Sequence, residues 1–467
     1  MNKQNINGND LRELGYKQGR VVGIAIGVIE KHYRKSTRED VLALLKNILE
    51  SPTDYLEDNN LVAIAEALIE KPKPVEGPEI ALNAPGLTYS VYGEGQIEEG
   101  ARKQMDIAIR LPVSVAGALM PDAHQGYGLP IGGVLATENA IIPYGVGVDI
   151  GCRMCLSIFS LPHETIDKDG RGLYKILTDN TLFGSGREFK DNKEHEVTDR
   201  KLFDEIPLLK GLQMKAVKQM GTSGSGNHFV EFGVVEITDI NNEFKLPVGK
   251  YLSLLSHSGS RGLGATIANH YTKLAMEKCR LPQEAKHLAW LDLRTQEGQE
   301  YWLAMNLAGD YASACHHTIH RKVATALSSE PLAMVENHHN FAWKEMLNGK
   351  EVIVHRKGAT PAGKGVLGII PGSMTAPGFI VRGKGETISI NSASHGAGRK
   401  MSRTAAMKTV TNAAMKEILK ANNVTLIGGG LDESPHAYKD IHQVMDAQVD
   451  LVEVVGKFTP RIVRMDG

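Results

Sequence analysis

The sequence predicts an α+β fold with a small helical segment at its N-terminus. Short β-branched runs alternate with glycine-rich turns after about residue 78, long helical patterns stand between them, and no regular strand–helix–strand rhythm appears. The 467 residues are enough for more than one domain. Hydrophobic residues at 42% and charged residues at 23% are ordinary for a globular protein.

The N-terminal segment, residues 1–78, is predicted to be helical and to end in a linker. Ser36 is followed three residues later by Glu39, which resembles a capping box, and apolar residues then recur at helical spacing. The run KPKPVEGPEI holds three prolines and a glycine, which is typical of a linker. We therefore expect a packing or interaction module in residues 1–78, and a larger domain in residues 79–467.

The larger domain is predicted to mix strands and helices. VIVH, LGII, GFIVRG and TISI predict strands, because each is short and mostly apolar or β-branched. RKMSRTAAMKTVTNAAMKEILKANN predicts one helix, since alanine, methionine and lysine favour that state. The stretch from His287 to Leu327 predicts one or two long helices.

Charge and cysteine content exclude several classes of protein. The formal net charge of −1 argues against a protein that coats duplex nucleic acid, although a local basic pocket for one RNA end is compatible with it. Four cysteines are too few for a disulfide framework in a chain of this length, so we expect free thiols or metal ligands. The polar N-terminus and the absence of a run of about 18 apolar residues predict a cytoplasmic protein without a membrane span.

Five short stretches place metal-ligand residue types beside glycine or another small residue. MPDAHQGYGLPIGG contains Asp122 and His124, YGVGVDIGCRMC contains Asp149 and Cys152, GTSGSGNHFVEF contains Asn227, His228 and Glu231, SHSGSRGLG contains His257 and Arg261, and ENHHNFAW contains His338, His339 and Asn340. A carboxylate, a thiolate and several imidazoles suit a divalent ion such as zinc or manganese. The thiolate could also bridge two ions.

Other histidines and cysteines are predicted to be structural. His316 and His320 in CHHTIH are four apart, as in zinc pairs on a helix, but the glutamate of the H-E-x-x-H pattern is missing. Cys152 and Cys155 form a C-x-x-C pair, and the absence of a second such pair excludes a four-cysteine zinc site. The pair also fits a thioredoxin-like motif poorly, because that motif needs a helix start after a strand. The following histidines have no ligand context: His32, His163, His195, His270, His287 and His442.

The stretch SASHGAGRKMSR places His395 before Gly396 and Gly398, with Arg399 and Arg403 four residues apart. One interpretation is a loop that turns into a helix, with His395 as an ordinary polar residue at its start. The other is a phosphate site in which His395 touches phosphorus. Free amides of the glycines near a helix start and two arginines on one face favour the phosphate site.

Eight motifs together resemble the RtcB family of RNA ligases. PDAHQGYGLPIGGV, GVGVDIGC, GSGNHFVE, HSGSRGLG, HRKGAT, IPGSM, HGAGRKMSR and ESPHAYKDI occur in the family's order from about residue 80 to the C-terminus. The resemblance implies an RtcB-type mixed fold with a central metal site in a catalytic domain over residues 79–467. It also implies joining of RNA 3′-phosphate or 2′,3′-cyclic phosphate ends to 5′-hydroxyl ends, in RNA repair or tRNA splicing.

The resemblance implies a role for each matching residue. GTP and two Mn(II) ions are the implied cofactors, with zinc or cobalt as substitutes in vitro, and His395 is the implied nucleophile that becomes guanylylated. The implied metal ligands are Asp149, Cys152, His228, His257 and His339, with the cysteine bridging. The implied nucleotide-binding residues are Asn227, Glu231, Asn340, Pro371, Gly372, Ser373, Met374, Gly396, Ala397, Gly398 and Tyr438. Arg261 and Arg399 are predicted to hold phosphates of RNA or nucleotide, with structural ion pairs as the alternative.

Two departures from the family pattern fall near the implied nucleotide. The chain ends RIVRMDG, with Asp466 where the family typically has lysine, and Gly378 and Phe379 stand where the family often has a serine and an aromatic residue. Guanine selection is therefore less securely implied than metal binding. An alternative is a metal-dependent phosphoesterase that opens cyclic phosphates without efficient guanylylation, and a third is a non-catalytic RNA-end binder. An archease-type activator is an implied partner.

Overall fold

The computed structural model of the protein describes residues 6–17, 19–34, 36–56, 58–69, 78–191 and 194–467. Most of the predicted linker, residues 70–77, lies outside the described residues. Helices and strands are both abundant, so the predicted α+β class is confirmed. Within the described ranges, no helix combines the length and apolar character that a membrane span requires.

Four helices and a short 3₁₀ turn form a module at the N-terminal end of the described chain. The helices are α1 (Gly8–Glu13), α2 (Arg20–His32), α3 (Arg38–Glu50) and α4 (Val62–Leu68), and the 3₁₀ turn is Pro52–Tyr55. Their apolar faces meet in a separate core that includes the fully buried Leu11, Leu45, Ile48 and Ile64. The spacing that predicts helices therefore also supplies the residues of this core.

The start of α3 differs from the prediction by one residue. Thr37, which has extended backbone angles, is the N-cap, and its hydroxyl accepts a hydrogen bond from the Asp40 backbone N–H at 3.2 Å. The same hydroxyl lies 2.7 Å from the Asp40 carboxylate. Ser36 with Glu39 and Thr37 with Asp40 are overlapping capping patterns, and the second one is used.

The remaining residues form seventeen strands and twelve helices within the described ranges. The strands are β1 (Ser90–Val91), β2 (Ser114–His124), β3 (Ile131–Thr137), β4 (Ala140–Ile141), β5 (Arg153–Pro162), β6 (Phe229–Ile237), β7 (Gly249–Ser258), β8 (Leu291–Asp292), β9 (Pro331–His338), β10 (Asn340–Leu347), β11 (Lys350–Lys357), β12 (Ala359–Pro361), β13 (Leu367–Ile370), β14 (Gly378–Gly383), β15 (Ser392–Ser394), β16 (Thr425–Ile427) and β17 (Val452–Met465). The helices are α5 (Glu99–Ala108), α6 (Pro143–Val146), α7 (Thr165–Lys168), α8 (Gly170–Asn180), α9 (Leu202–Glu205), α10 (Pro207–Lys210), α11 (Gln213–Gln219), α12 (Arg261–Lys278), α13 (Gln296–Leu327), α14 (Arg403–Thr409), α15 (Asn412–Ala421) and α16 (Ile441–Asp446).

Two larger sheets organise these strands. The first has the order β1-β2-β3-β11-β10, and the second has the order β13-β14-β17-β6-β7-β5-β9, with β16 beside β17. Two-stranded pairs, β12 with β15 and β4 with β8, complete the pairing within the described chain. Most pairs are antiparallel, and the long helices α12 and α13 bury much of the largest apolar core. This topology brings strand ends from distant parts of the sequence to one place.

Three predicted elements differ from the structure. TISI is a turn and not a strand, because Ile390 and Asn391 adopt left-handed φ angles of 55° and 49°. The helix predicted after Arg399 is two helices, α14 and α15, because Thr411 caps a new helix start through the Ala414 N–H. The stretch from His287 to Leu327 holds one long helix, α13, which begins only after the N-cap Thr295.

The N-terminal module packs on the rest of the chain through the 3₁₀ turn. The Asp54 carboxylate and the Lys215 ammonium group form an ion pair at 2.7 Å, with side chains only 5% and 15% exposed. The Ser185 hydroxyl donates to the Asp54 carbonyl, and the hydroxyls of Thr53 and Thr266 lie 3.4 Å apart. These contacts hold the module beside the first turn of α12.

Replacing Lys215 with alanine is expected to lower the free energy of unfolding by about 3 kcal/mol, because the Asp54 carboxylate is left buried without its partner. Guanidinium titration followed by circular dichroism measures this loss. The matched control is Lys175→Ala, which removes an exposed ion pair to Asp179 and should leave the midpoint nearly unchanged. Equal small losses in both variants would contradict a buried contact between the module and α11.

Candidate active site

A cleft of about 720 Å³ lies at one edge of the larger sheet. Eighteen of the nineteen predicted site residues have positions in its wall; the exception is Arg261. The predicted residues that line it are Asp149, Cys152, Asn227, His228, Glu231, His257, His339, Asn340, Pro371, Gly372, Ser373, Met374, His395, Gly396, Ala397, Gly398, Arg399 and Tyr438. Motifs that are far apart in sequence therefore share one cavity, while the role of each residue stays a prediction.

The candidate metal ligands sit at the ends of four neighbouring strands, β6, β7, β5 and β9. Cys152 directly precedes β5 and His228 directly precedes β6, whereas His257 is the second-last residue of β7 and His339 directly follows β9. The pairs are antiparallel, so strand starts and strand ends alternate along one edge of the sheet. This alternation brings the four side chains together.

Asp149 reaches the same place through a close approach to the loop after β7. A Cβ atom at Gly259 would lie only 1.9 Å from Asp149 Oδ1, so a side chain at that position would displace the carboxylate. The next residue, Ser260, donates its backbone N–H to Asp149 Oδ1 at 3.1 Å. The position of the Asp149 carboxylate therefore explains why residue 259 of the HSGSRG stretch is glycine.

The ligand atoms of these five residues lie close together. Cys152 Sγ is 3.1 Å from His257 Nε2 and 3.6 Å from His228 Nε2. His228 Nε2 is 3.0 Å from Asp149 Oδ2, and His257 Nε2 is 3.2 Å from His339 Nε2. Ligands bound at about 2.1 Å to a common ion lie roughly 3–3.5 Å apart. The geometry therefore fits one or more divalent ions.

The hydrogen-bond partners of the imidazoles also favour a cation. His228 Nδ1 lies 2.7 Å from the Ser223 carbonyl, and a carbonyl only accepts, so Nδ1 carries the proton. The other ring nitrogen, Nε2, faces the Asp149 carboxylate at 3.0 Å, and a cation between them would bind both. His257 is held likewise by the Asn227 carbonyl at 3.1 Å, and burial and the neighbouring His228 lower its pKa to about 3. Neutral imidazoles that are oriented by carbonyls are typical metal ligands.

His395 stands at the wall of the cleft beside this cluster. Its ring centroid lies 4.9 Å from that of His339. Its Nδ1 lies 2.6 Å from Oδ2 of Asp122, and this carboxylate accepts a hydrogen bond from Nδ1–H. In the neutral imidazole with the proton on Nδ1, the lone pair is on Nε2. The same Oδ2 accepts the backbone N–H groups of His395 at 3.1 Å and Gly396 at 3.4 Å.

The Asp122 carboxylate is fully buried and held in its charged form. Burial alone would raise its pKa, but the electrostatic attraction and hydrogen bond of the His395 imidazole N–H, together with the positive charge of Lys439, lower that pKa below its usual value. The Lys439 ammonium group donates to the carbonyls of Pro121 and Ala123, on either side of Asp122, at 3.2 and 2.7 Å. Asp122 is therefore rigidly placed to orient the imidazole of His395.

The backbone around His395 differs from the predicted helix start. His395 directly follows β15, and the helix begins eight residues later at Arg403, with Ser402 as its N-cap. Gly398 instead adopts φ of +72°, and a Cβ there would lie 2.1 Å from the Asp122 carbonyl. Gly398 therefore allows close packing on β2, and neither Gly396 nor Gly398 offers a helix-terminal amide.

Arg399 and Arg403 do not lie on one helical face, since Arg399 precedes the helix. Both reach the buried Glu433 carboxylate instead, with Arg399 Nη1 at 3.4 Å. Arg399 also donates to the Asp432 carbonyl at 2.6 Å, and the Tyr438 hydroxyl donates to Glu433. The guanidinium group of Arg399 is thus paired within the protein, as expected if its role is a structural ion pair. Arg399 also lines the cleft.

Arg261 lies outside the main cleft. It lines a smaller recess behind Asp149 and His228. Its Nε donates to the Thr222 hydroxyl at 3.0 Å, and Nη2 donates to the Gly184 carbonyl at 3.1 Å. The geometry thus gives Arg261 a structural contact, while a phosphate-binding role stays a prediction.

His316 and His320 form a hydrogen-bonded group behind β7. Each ring nitrogen of both residues lies within 3.0 Å of an oxygen of Ser157, Ser256 or Ser258. The Cys155 thiol completes a group that could hold a metal by distance alone. Because every imidazole nitrogen already has a partner, the structure favours the predicted structural role. Cys152 and Cys155 also belong to different clusters, so their C-x-x-C spacing has no joint function.

The two departures from the family pattern occupy different surroundings. Gly378 lines the cleft, and Phe379 is buried in the core beside it. The Asp466 carboxylate is directed toward Gly184: a Cβ at that glycine would lie 3.6 Å from Oδ1. Among the described residues that line the cleft, Met465 is the one nearest the C-terminus. A direct contact of Asp466 with a ligand in the cleft therefore has no support from the geometry.

Several residues of the cleft were not predicted from the sequence to form a site. Asp122 stands in one of the five stretches, but its contact with His395 spans 273 positions and no local pattern indicates it. His287, predicted to be structural, lines the cleft together with Tyr127 and Tyr144. The N-terminal module contributes Leu56, Val62 and Glu66 to the wall, and no motif in the sequence indicates them.

Comparisons with a family model and with known proteins identify the same family. The family model described as tRNA-splicing ligase RtcB matches residues 104–466, which include every predicted site residue. The chain is 36% identical over 396 residues to an RNA-splicing ligase RtcB of Escherichia coli K12, covering 77% of this chain and 92% of the relative.

Two archaeal relatives extend the comparison. A tRNA-splicing ligase RtcB of Aeropyrum pernix is 32% identical over 417 residues, which cover 74% of this chain and 86% of the relative. A tRNA-splicing ligase RtcB of Thermococcus kodakarensis is 28% identical over 450 residues, which cover 79% of this chain and 93% of the relative. The N-terminal helices α1 to α4 lie outside the residues that the family model matches. The chain belongs to the RtcB family and is an RNA ligase.

Proposed function

We propose that this enzyme joins RNA 3′-phosphate or 2′,3′-cyclic phosphate ends to 5′-hydroxyl ends in the cytoplasm, with GTP and Mn(II), through a guanylate bound to His395. The observation that supports this proposal most directly is the position of His395. Its Nδ1 is held by Asp122 at 2.6 Å, and its ring lies beside the ligand cluster in one cleft. A neutral imidazole next to bound cations is a competent nucleophile toward phosphorus.

The first step is attack of His395 Nε2 on the α-phosphorus of GTP. An N–P bond forms, the bond to the leaving pyrophosphate oxygen breaks, and Nδ1 keeps its proton because Asp122 accepts that hydrogen bond. Divalent ions, when bound by Asp149, Cys152 and the three neighbouring histidines, supply Lewis-acid withdrawal of charge from phosphate oxygens. Backbone amides and the Tyr438 ring at the cleft wall are proposed to hold the nucleotide.

The later steps transfer the guanylate to RNA. Water opens a 2′,3′-cyclic phosphate to a 3′-phosphate. An oxygen of that phosphate attacks the guanylate phosphorus, the N–P bond to His395 breaks, and an activated RNA end forms. The 5′-hydroxyl then attacks the 3′-phosphorus, loses its proton, and GMP leaves.

A joining assay tests the proposal against the phosphoesterase alternative. RNA with a 2′,3′-cyclic phosphate is incubated with a 5′-hydroxyl RNA, and Mn(II) and GTP are omitted in turn. We expect joined product only when both are present. Opening of the cyclic phosphate without GTP, and no joined product under any condition, would favour the phosphoesterase.

Replacing Asp122 with asparagine is expected to slow nucleotide transfer to His395 by roughly 10- to 100-fold, because a neutral amide orients the imidazole less firmly than a carboxylate. The rate of covalent labelling by GTP under single-turnover conditions measures the effect. The matched control is Asp179→Asn, which changes an exposed carboxylate on α8. An unchanged labelling rate in Asp122→Asn would contradict the positioning role of Asp122.

A further inference from the structure

Three aromatic rings line the cleft and have no part in the steps above. Tyr144 and His287 are stacked with centroids 5.1 Å apart, and Tyr127 packs edge-on against both at 6.4 and 6.3 Å. Tyr127 is 69% exposed although it belongs to the cleft wall. An exposed ring backed by two others is a surface on which another aromatic ring can stack.

A buried lysine holds this group rigidly. The Lys357 ammonium group donates to the backbone carbonyls of Tyr127 at 2.5 Å and Tyr144 at 3.1 Å. It also lies 4.8 Å from the centroid of the Tyr144 ring. Both tyrosines are thus held at the backbone by one side chain, which fixes the points from which their rings extend.

The aromatic group is close to the proposed nucleophile. Gly358 follows Lys357 directly, and a Cβ at Gly358 would lie 3.3 Å from His395 Cε1. The Gly358 N–H donates to the Asn340 side chain at 2.8 Å, which fixes this short connection. His395 and the three aromatic rings also line one cavity, which places the rings in the same cleft as the proposed nucleophile.

The N-terminal module lines the same cleft. Leu56, Val62 and Glu66 belong to the wall, and the last two are one turn apart on α4. Burial, the Tyr127 phenol and the Glu66 carboxylate together raise the pKa of Tyr144 to about 12. Aromatic and aliphatic walls suit the flat apolar face of a nucleobase. A carboxylate would repel a phosphate, since both are negatively charged.

We propose that Tyr127, Tyr144 and His287 form a stacking platform for an unpaired nucleobase at the RNA end, with α4 lining the same recess. The inference rests on the RNA-joining function proposed above and adds a subsite for the base to it. Aromatic side chains bind single-stranded RNA through the flat face that every base shares, so the platform accepts different bases. The helix α4 lies outside the residues that the family model matches, so this part of the wall is not part of the family match.

The test uses the full-length protein and two short single-stranded RNAs with 2-aminopurine, a fluorescent base that is quenched by stacking. One RNA carries it at the 3′-phosphate end, and the other at the 5′-hydroxyl end. We expect quenching of at least one probe by the wild-type protein and by Tyr127→Phe. In Tyr127→Ala, that quenching should be lost and RNA affinity should fall roughly 5- to 150-fold.

The control is Tyr174→Ala, which removes a partly exposed tyrosine from a separate recess and should quench like the wild type. No quenching of either probe by the wild type, or equal quenching by Tyr127→Ala, would overturn the platform. Covalent labelling of the wild type by GTP is measured separately and requires no RNA. Labelling without quenching refutes the platform alone, whereas quenching without labelling refutes the proposed guanylate chemistry alone.

Discussion

Replacement of His395 by alanine is expected to abolish covalent labelling of the protein by α-³²P-GTP and to reduce RNA joining by roughly 10⁴-fold or more. The imidazole is the group that takes the guanylate in the proposed reaction, and alanine offers no atom that could replace Nε2. The fold should survive, because His395 lies in the cleft wall and its partner Asp122 keeps two backbone donors. Labelling on a denaturing gel and joining of labelled RNA measure both effects.

The matched control for that variant is His32→Ala, which removes an exposed histidine near the end of α2. It should label and join like the wild type. Full labelling of His395→Ala would show that another residue is the nucleophile. Loss of labelling in both variants would mean that the assay reports protein quality and not the role of His395.

Replacement of Cys152 by alanine is expected to weaken Mn(II) binding by at least about 100-fold, because the thiolate lies within 3.6 Å of two imidazole nitrogens in the ligand cluster. Calorimetric titration with Mn(II) and ion content after gel filtration measure the change. A metal that binds only the folded state stabilises it by about 2.7 kcal/mol at 100 times its dissociation constant. That increment should appear in the wild type and fall to about 0.4 kcal/mol or less in the variant at the same Mn(II) concentration.

The matched control for Cys152→Ala is Cys279→Ala, which removes another buried thiol, outside the cleft. Both variants lose the packing of one sulfur atom, so the informative quantity is the increase in unfolding temperature on addition of Mn(II). Cys279→Ala should keep this increase. An increase in Cys152→Ala equal to that of the wild type would contradict a metal site at Cys152.

The sequence was most informative where a ligand residue stands beside a glycine at a strand end. His228 and His257 lie in such stretches, whereas the stretch around His339 contains no glycine, and the antiparallel strands bring all three to one edge. The local pattern indicates the residue type and the close approach of the backbone, as at Gly259 beside Asp149. It does not indicate which strands are neighbours, because that depends on the pairing of distant segments.

Long-range contacts explain most of what could not be predicted. Two such contacts are the hydrogen bond between His395 and Asp122 and the ion pair between Asp54 and Lys215. Each joins segments far apart in the sequence, so no local sequence pattern indicates it. The predicted helix after Arg399 was wrong in its start and continuity, because side-chain caps at Ser402 and Thr411 outweigh helix propensity. The boundary near residue 78 stays a prediction.

Labelling by separate nucleotides tests whether His395 carries guanylate. The purified protein is incubated with Mn(II) and each of the four α-³²P nucleoside triphosphates, and the labelled residue is located by mass spectrometry after proteolysis. We expect acid-labile label from GTP alone, on His395. Absence of label from all four nucleotides, or label on another residue, would contradict the account.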